Sequence, residues 1–174
     1  MKNEFETKKL VLNSILIAIG AILHQITPQI FGIQCDFSLA MLFIIIVLNK
    51  DYKTALLSGI AVGIFAALTT KTVNGQIPSL IDKFVASNSI YLLLLPFRNK
   101  INDTIQLIFS LISGTLISGS VFIISLSILS GLPTAATTLF LTVVIPTTIL
   151  NVALGTILYK TIVLSLKKLK LSKL

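Results

Sequence analysis

Six apolar stretches, separated by short polar turns, most constrain what this chain can fold into. In chain order they are Leu10–Ile26, Phe37–Leu48, Thr54–Thr70, Leu80–Phe97, Thr104–Leu129 and Leu139–Leu166. A helix needs ~20 apolar residues to cross a bilayer, and lipid admits only structures that pair every backbone polar group internally. The sequence lacks the ~10-residue alternating segments of a membrane barrel. It therefore predicts an all-α integral membrane protein, a single domain of six transmembrane helices over residues 1–174.

The composition excludes a soluble domain. Hydrophobic residues make up 55% of the chain and charged residues only 11%, whereas soluble domains carry about 25% charged residues. The single cysteine, Cys35, excludes an intrachain disulfide. The first apolar stretch has no small-residue cleavage site after it, so we expect a retained span and not a signal peptide.

Two of the six stretches are irregular. The second is short for a span, so we expect it to begin upstream, near Ile33, or to sit against thinned lipid. Pro146 lies inside the sixth and cannot donate to the carbonyl of Thr142, so we expect a kink or break there. Gly131-Leu132-Pro133 predicts the end of the fifth helix and a short extra turn before the sixth.

Lysine and arginine residues divide unequally between the two sides of the predicted bundle. One side carries twelve: Lys2, Lys8, Lys9, Lys50, Lys53, Arg98, Lys100, Lys160, Lys167, Lys168, Lys170 and Lys173. The other side carries Lys71 and Lys83. Cytoplasmic loops are enriched in these residues, so we expect both termini in the cytoplasm and the 71–79 loop outside. We interpret the basic C-terminal tail as contacting anionic headgroups of the lipid bilayer, not nucleic acid.

Polar and ionisable residues cluster near the predicted outer side, with one more near mid-membrane. The candidate substrate-binding residues are His24, Gln25, Asp36, Gln76, Asp82, Lys83 and Asn151. Such groups at membrane depth usually mark a function or a pair. Alternatively, Asp82 and Lys83 form an interfacial helix start, and His24 and Asn151 are hydrogen-bonding residues between helices. One histidine and one cysteine do not form a metal-binding set, and we expect no metal or other cofactor.

Small residues recur at helical spacing on three predicted spans. They are Ser14, Ala18 and Ala21 on the first, Ala55, Gly59, Gly63 and Ala67 on the third, and Ser110, Gly114 and Ser118 on the fifth. Such faces let helix backbones approach closely, either within this bundle or against another membrane subunit. The candidate partner-docking residues are Ser14, Ala18, Ala21, Gly59 and Gly63.

Enzyme motifs are absent from the sequence. The segment from Gly155 to Thr161 resembles the end of a Walker A motif, but it lacks the glycine before Lys160 and lies in a span. A His-Glu-x-x-His motif is missing as well. We therefore expect a protein that is not an enzyme and has no ATPase motif of its own.

The most specific motif is Gly75-Gln76-Ile77-Pro78 with Ile81-Asp82-Lys83. It is accompanied by Ala67-Leu68-Thr69-Thr70, Gly114-Thr115-Leu116-Ile117-Ser118-Gly119, Val121-Phe122 and Gly131-Leu132-Pro133, and by Ile19-Gly20-Ala21, Leu23-His24, Pro28 and Asp36. Over nearly the whole chain these residues resemble the bacterial tryptophan transporter family called TrpP. Members of that family look like substrate-binding (S) components of energy-coupling factor (ECF) transporters.

The resemblance implies a six-helix, multi-pass protein of the bacterial cell membrane that binds tryptophan from outside. It also implies docking onto a shared transmembrane subunit and two ATPase subunits, for which small residues of the first spans commonly serve. Ser14 and Ala18 stand where the docking motif has two alanines.

The residue chemistry fits an amino acid ligand. The ammonium of the ligand needs an anion, which Asp82 or Asp36 can supply. The carboxylate of the ligand needs either backbone donors or a cation, and Lys83 or Lys71 can supply the cation. An indole needs an N–H acceptor and an apolar or aromatic slot. The candidate acceptors are Gln76, Gln25 and His24, and the candidate slot residues are Phe31, Phe37 and Phe84. The identity of the amino acid rests on the resemblance.

Two function classes remain open. One is an S component that needs an ATP-driven partner. The other is a free-standing secondary carrier for an aromatic amino acid, driven by a proton or sodium gradient, with His24 or Asp82 as the coupling group. The absence of inverted repeats and of a mid-membrane acidic pair in the sequence disfavours the carrier.

Overall fold

The computed structural model describes residues 2–29 and 34–168, and it confirms six apolar helices over this part of the chain. Their bounds are α1 Lys2–Ile26, α2 Phe37–Asn49, α3 Tyr52–Thr69, α4 Gln76–Leu94, α5 Asp103–Ser130 and α6 Ala136–Lys168. A 3-10 turn, Leu95–Phe97, extends α4. Five of the helices are long and apolar enough to cross a membrane, and α2 is the shorter one.

Side-chain caps set the start of three helices. Asp36 accepts a hydrogen bond from the backbone N–H of Leu39 at α2, and Asp51 accepts one from Thr54 at α3. Asn102 does the same for Thr104 at α5. Each cap satisfies a backbone donor that has no partner inside the helix. Gly131, with a φ of 75°, ends α5 where the sequence predicted an end.

Helix α2 is the shortest of the six and is surrounded by the other helices. All ten of its residues from Ser38 to Val47 are buried, and their apolar side chains form the centre of the core. Gln34, Cys35 and Asp36 are not helical, so the predicted start upstream of Phe37 is wrong. Ile33 itself lies outside the described residues. The second stretch is thus the central helix of the bundle, and thinned lipid is not needed to explain its length.

The predicted break near Pro146 is present in α6. The helix begins with the short turn Ala136–Leu139, continues as a π-helical turn, Phe140–Val144, and becomes a regular α-helix over Ile145–Lys168. Pro146 lacks the N–H that would bond the carbonyl of Thr142, so a regular α-helical ladder cannot run through this position. The wider turn is one of the known ways in which a helix absorbs such a gap.

The small residues of α3 pack inside the bundle. A Cβ added at Gly59 would lie 2.1 Å from Oγ of Ser87, and one at Gly63 would lie 3.1 Å from Cδ1 of Leu80. Both neighbours belong to α4, so the absence of side chains lets α3 and α4 approach closely. Gly59 and Gly63 are therefore buried in internal packing, and they offer no exposed face to a partner.

On α1 the predicted docking residues divide. Ala21 is buried, and the preceding Gly20 lies against Met41 of α2. Ser14 and Ala18 are exposed. The docking prediction therefore retains a free face at Ser14 and Ala18 only.

Two ion pairs connect basic segments at one end of the bundle. Lys9 of α1 pairs with Asp51 at 2.5 Å, and Lys50 pairs with Asp103 of α5 at 3.1 Å. At the opposite end, Lys71 donates to the backbone oxygen of Thr27. The N-terminal half of α1, the α2–α3 turn and the start of α5 thus share one end, as the lysine and arginine division predicted.

Candidate functional site

A cavity of about 560 Å³ opens near the Lys71 end of the bundle. Its walls come from the end of α1, the start of α2, the α3–α4 loop, α4, α5 and the first half of α6. Small-molecule sites usually measure ~300–1,000 Å³ and combine apolar walls with a few placed polar groups. This cavity has both, so it is the candidate ligand site.

A buried cluster of three charges lies on the cavity wall. Nζ of Lys83 is 2.8 Å from Oδ2 of Asp36 and 3.0 Å from Oδ2 of Asp82. Asp82 and Lys83 are only 3% and 4% exposed. Neighbours on a helix point about 100° apart and need not meet, but the long lysine stem brings the ammonium back to Asp82. One lysine therefore joins α4 to the start of α2.

Asp82 has one satisfied and one unsatisfied carboxylate oxygen. Oδ2 accepts hydrogen bonds from Oγ of Ser118 at 2.5 Å and from Lys83. Oδ1 is buried and has no hydrogen-bond partner among residues 2–29 and 34–168. Helix α4 begins at Gln76 with Gly75 as its N-cap, so Asp82 lies inside the helix and the interfacial-cap alternative does not apply. A buried acceptor without a partner is costly, and a ligand donor would remove that cost.

Asp36 combines a structural and an electrostatic contact. Its Oδ1 caps α2 and accepts a hydrogen bond from Oγ of Ser38 at 2.6 Å. Nδ1 of His24 lies 3.4 Å from the same oxygen and makes no hydrogen bond to any described residue. The other oxygen of Asp36 faces Lys83. The helix cap therefore fixes one carboxylate of the cluster.

Asn151 of α6 lies behind the charged cluster and holds the backbone at Asp36 in place. Its Oδ1 accepts from the backbone N–H of Asp36 at 2.8 Å and from the thiol of Cys35 at 3.2 Å, and its Nδ2 donates to Oγ1 of Thr115 at 3.1 Å. Burial, helped by the charge of Asp36, raises the pKa of the Cys35 thiol to about 12, so the thiol keeps its proton. Asn151 is completely buried and does not line the cavity, so it joins α6 to α2 and α5.

Polar contacts also tie the mouth of the cavity together. Gln34 donates to the backbone oxygens of His24 at 2.7 Å and of Thr27 at 3.2 Å. Lys71 of the α3–α4 loop donates to the same oxygen of Thr27. The end of α1 is thus fixed to the segments that precede α2 and α4.

The apolar wall comes from α5 and α6. Phe122, Ile123 and Leu126 line it on α5, and Leu139, Val143 and Val144 line it on α6. Val144 lies against Gly119, where an added Cβ would be 2.6 Å from Cγ1 of Val144. The π-helical turn of α6 therefore carries two side chains into the cavity wall and brings α6 close to α5.

The structure brings together four of the seven predicted substrate-binding residues. His24, Asp36, Asp82 and Lys83 line the cavity, and Asn151 stands behind it. Gln25 and Gln76 are exposed and do not line it.

The aromatic lining differs from the sequence prediction. Phe37 and Phe84 are not on the cavity wall, and Phe31 lies outside the described residues. Sequence reasoning missed Ser118, Thr115 and Phe122 as lining residues. The signal for them was the polar and small residues at helical spacing on α5, with Phe122 four positions after Ser118.

The polar and apolar groups of the cavity wall suit a ligand with a cationic group and an apolar body. Within residues 2–29 and 34–168, no group of three His, Cys, Asp or Glu side chains could hold a metal ion. The cavity instead offers an unsatisfied carboxylate oxygen beside an aromatic and aliphatic wall.

Comparison with known proteins shows which family the chain is similar to. A family model described as "Tryptophan transporter TrpP" matches residues 6–167. A probable tryptophan transport protein of Clostridium acetobutylicum is 51% identical over 87% of this chain and 90% of its own length. Proteins of the same description from Clostridium perfringens and Bacillus subtilis are each 39% identical, over 95% and 88% of this chain and 96% and 90% of their own lengths. No solved structure matches the chain.

Proposed function

Because this chain belongs to the tryptophan transporter family TrpP, we propose that it takes up tryptophan as the substrate-binding S component of an ECF-type transporter. The cavity between α4, α5 and α6 is the binding site. Tryptophan enters it from the extracellular side of the bacterial cell membrane.

The observation that carries this proposal is the unsatisfied oxygen of Asp82 at the wall of the cavity. The ammonium of tryptophan is the donor that completes it, in a site where charge-assisted hydrogen bonds are strong. Phe122, Leu126 and Val144 supply the apolar surface for the indole. Lys83 contacts the Asp82 carboxylate and is itself held by Asp36. These two residues therefore contribute to binding by positioning Asp82.

The division of basic residues supports entry from outside. The end of the bundle that holds the Lys9–Asp51 and Lys50–Asp103 pairs also holds most of the lysine and arginine residues. Under the positive-inside rule that end, with both termini, is cytoplasmic. The cavity then faces the exterior.

The need for a partner rests on two features. The sequence carries no ATPase motif of its own, and α1 presents exposed Ser14 and Ala18 on one face. Small side chains on a lipid-facing helix allow close approach of another helix. We assign this face to a shared transmembrane subunit, which in turn couples to two ATPase subunits.

One observation favours a second candidate, an ion-coupled secondary carrier. The buried Asp82 carboxylate, with His24 on the same cavity, is the kind of intramembrane acid that carries protons in transporters. In that case transport needs a gradient and no ATPase.

Uptake of labelled tryptophan into liposomes separates these candidates. We expect accumulation only when the purified chain is reconstituted with an ECF transmembrane subunit and two ATPases. ATP must be supplied on the side of the membrane where the ATPases lie. A module with hydrolysis-deficient ATPases is the matched control and should give no accumulation. Accumulation by the chain alone under a proton or sodium gradient would establish the carrier, and no uptake under either condition would overturn both.

A further inference from the structure

We infer that the site recognises the amine of its ligand and not the carboxylate, so that arylalkylamines without a carboxyl group bind nearly as well as the amino acid. This inference rests on the proposed function and specifies which part of the ligand the cavity selects.

The buried charges favour a cation. The cluster of Asp36, Asp82 and Lys83 contains two carboxylates and one ammonium, and Nζ of Lys83 lies within hydrogen-bond distance of both acids. Lys83 is already shared between both acids, and Oδ1 of Asp82 remains without a partner in the part of the chain that the structure describes. With both acids ionised, the cluster has a net negative charge and a free acceptor, which attract an ammonium and repel a carboxylate.

The remaining cation of the described cavity lining is poorly placed to hold a carboxylate. Lys71 is exposed at the mouth and donates to the backbone oxygen of Thr27. Water and salt screen an exposed charge, so a carboxylate beside it contributes little affinity. Asp82, by contrast, is 3% exposed, and a charge-assisted hydrogen bond at such depth contributes far more.

His24 does not change this balance. Its Nδ1 lies 3.4 Å from Asp36 and makes no hydrogen bond within the described ranges. A protonated His24 would neutralise Asp36, yet the free oxygen of Asp82 would still lack a donor. The acceptor on Asp82 is thus the feature that selects an amine in either protonation state of His24.

The chain contains no tryptophan, so the fluorescence of an indole ligand can be followed without a protein background. We would titrate purified protein in detergent micelles, which add no tryptophan, with L-tryptophan, tryptamine and indole-3-propionate. Tryptamine lacks the carboxyl group and indole-3-propionate lacks the amine. Tryptamine is expected within about 10-fold of tryptophan, and indole-3-propionate at least about 30-fold weaker, the lower limit for losing one partner of a buried charge pair.

Two variants locate the effect. Asp82→Asn should weaken tryptophan and tryptamine by about 30-fold or more, and should change indole-3-propionate by less than about 3-fold. Asp103→Asn removes an aspartate from the other end of the bundle, where it pairs with Lys50. It is the matched control and should leave all three affinities unchanged.

Each outcome is informative. Tight binding of tryptophan with weak binding of tryptamine would overturn the inference and leave the proposed function standing. Binding of tryptamine without tryptophan would support amine recognition and overturn tryptophan as the substrate. If none of the three ligands binds, the inference and the proposed function are both wrong.

Discussion

Single residues in this protein take their roles from helices that are distant in sequence. Asp82 and Lys83 are adjacent, yet their partners Ser118 and Asp36 come from α5 and from the start of α2. The residue types of His24, Asp36, Asp82 and Lys83 were enough to predict that they share a site, because buried ionisable groups in a membrane protein need partners. Ser118 and Phe122 were not predicted as lining residues, because the rotation of α5 about its axis depends on packing against other helices.

Residues that are adjacent in sequence also differ in whether they line the cavity. His24 lines the cavity, whereas Gln25 is exposed, since successive side chains on a helix point about 100° apart. Gln76 belongs to the most specific motif of the sequence but lies exposed at the first turn of α4. A motif identifies a segment, and the helix geometry decides which of its residues face the cavity.

Asn151 provides the first test at this scale. Asn151→Ala would leave the backbone N–H of Asp36 and the hydroxyl of Thr115 without their present partner in a buried position. We expect a loss of about 1–3 kcal/mol of stability and weaker tryptophan binding, because Asp36 is no longer held. Thermal unfolding and a binding titration check both, and an alanine variant equal to the parent in both would contradict the positioning role.

At the scale of helices, the apolar stretches and the break positions predicted most of the architecture. Gly131 and Pro146 act through their own backbone chemistry, so the end of α5 and the irregular start of α6 could be predicted locally. The central position of α2 could not, because burial of a helix on all sides depends on how the other five surround it. The same limit applied to α3, where a small-residue face does not reveal whether its neighbour is α4 or another subunit.

The α3–α4 contact gives a prediction with a matched control. Gly63→Leu places a large side chain against Leu80 of α4 and should destabilise the protein by about 1–3 kcal/mol through overpacking. Ala18→Leu adds side-chain bulk on the exposed face of α1. It should leave thermal stability unchanged but reduce assembly with the transmembrane subunit, measured by co-purification. Normal stability of Gly63→Leu would contradict the packing, and normal assembly of Ala18→Leu would remove α1 as the docking face.

At the scale of the whole molecule, the basic residues predict how the bundle sits in the membrane. Asn74 lies in the exposed α3–α4 loop beside the cavity, and Asn102 is exposed at the opposite end before α5. In intact cells, Asn74→Cys should react with an impermeant thiol reagent and Asn102→Cys should not. The parent is the control, since Cys35 is 3% exposed. Reaction of Asn102→Cys with protected Asn74→Cys would reverse the topology.

The central claim is that the cavity binds tryptophan through Asp82, and calorimetric titration tests it most directly. L-tryptophan should saturate the purified parent at one molecule per chain. Asp82→Asn keeps the shape of the side chain and removes its charge. The loss of a desolvated charged partner should cost about 2–5 kcal/mol, roughly 30- to several-thousand-fold in affinity, while thermal unfolding shows a folded variant. Tryptophan affinity of folded Asp82→Asn within a few-fold of the parent would contradict this account and move the ammonium site to Asp36.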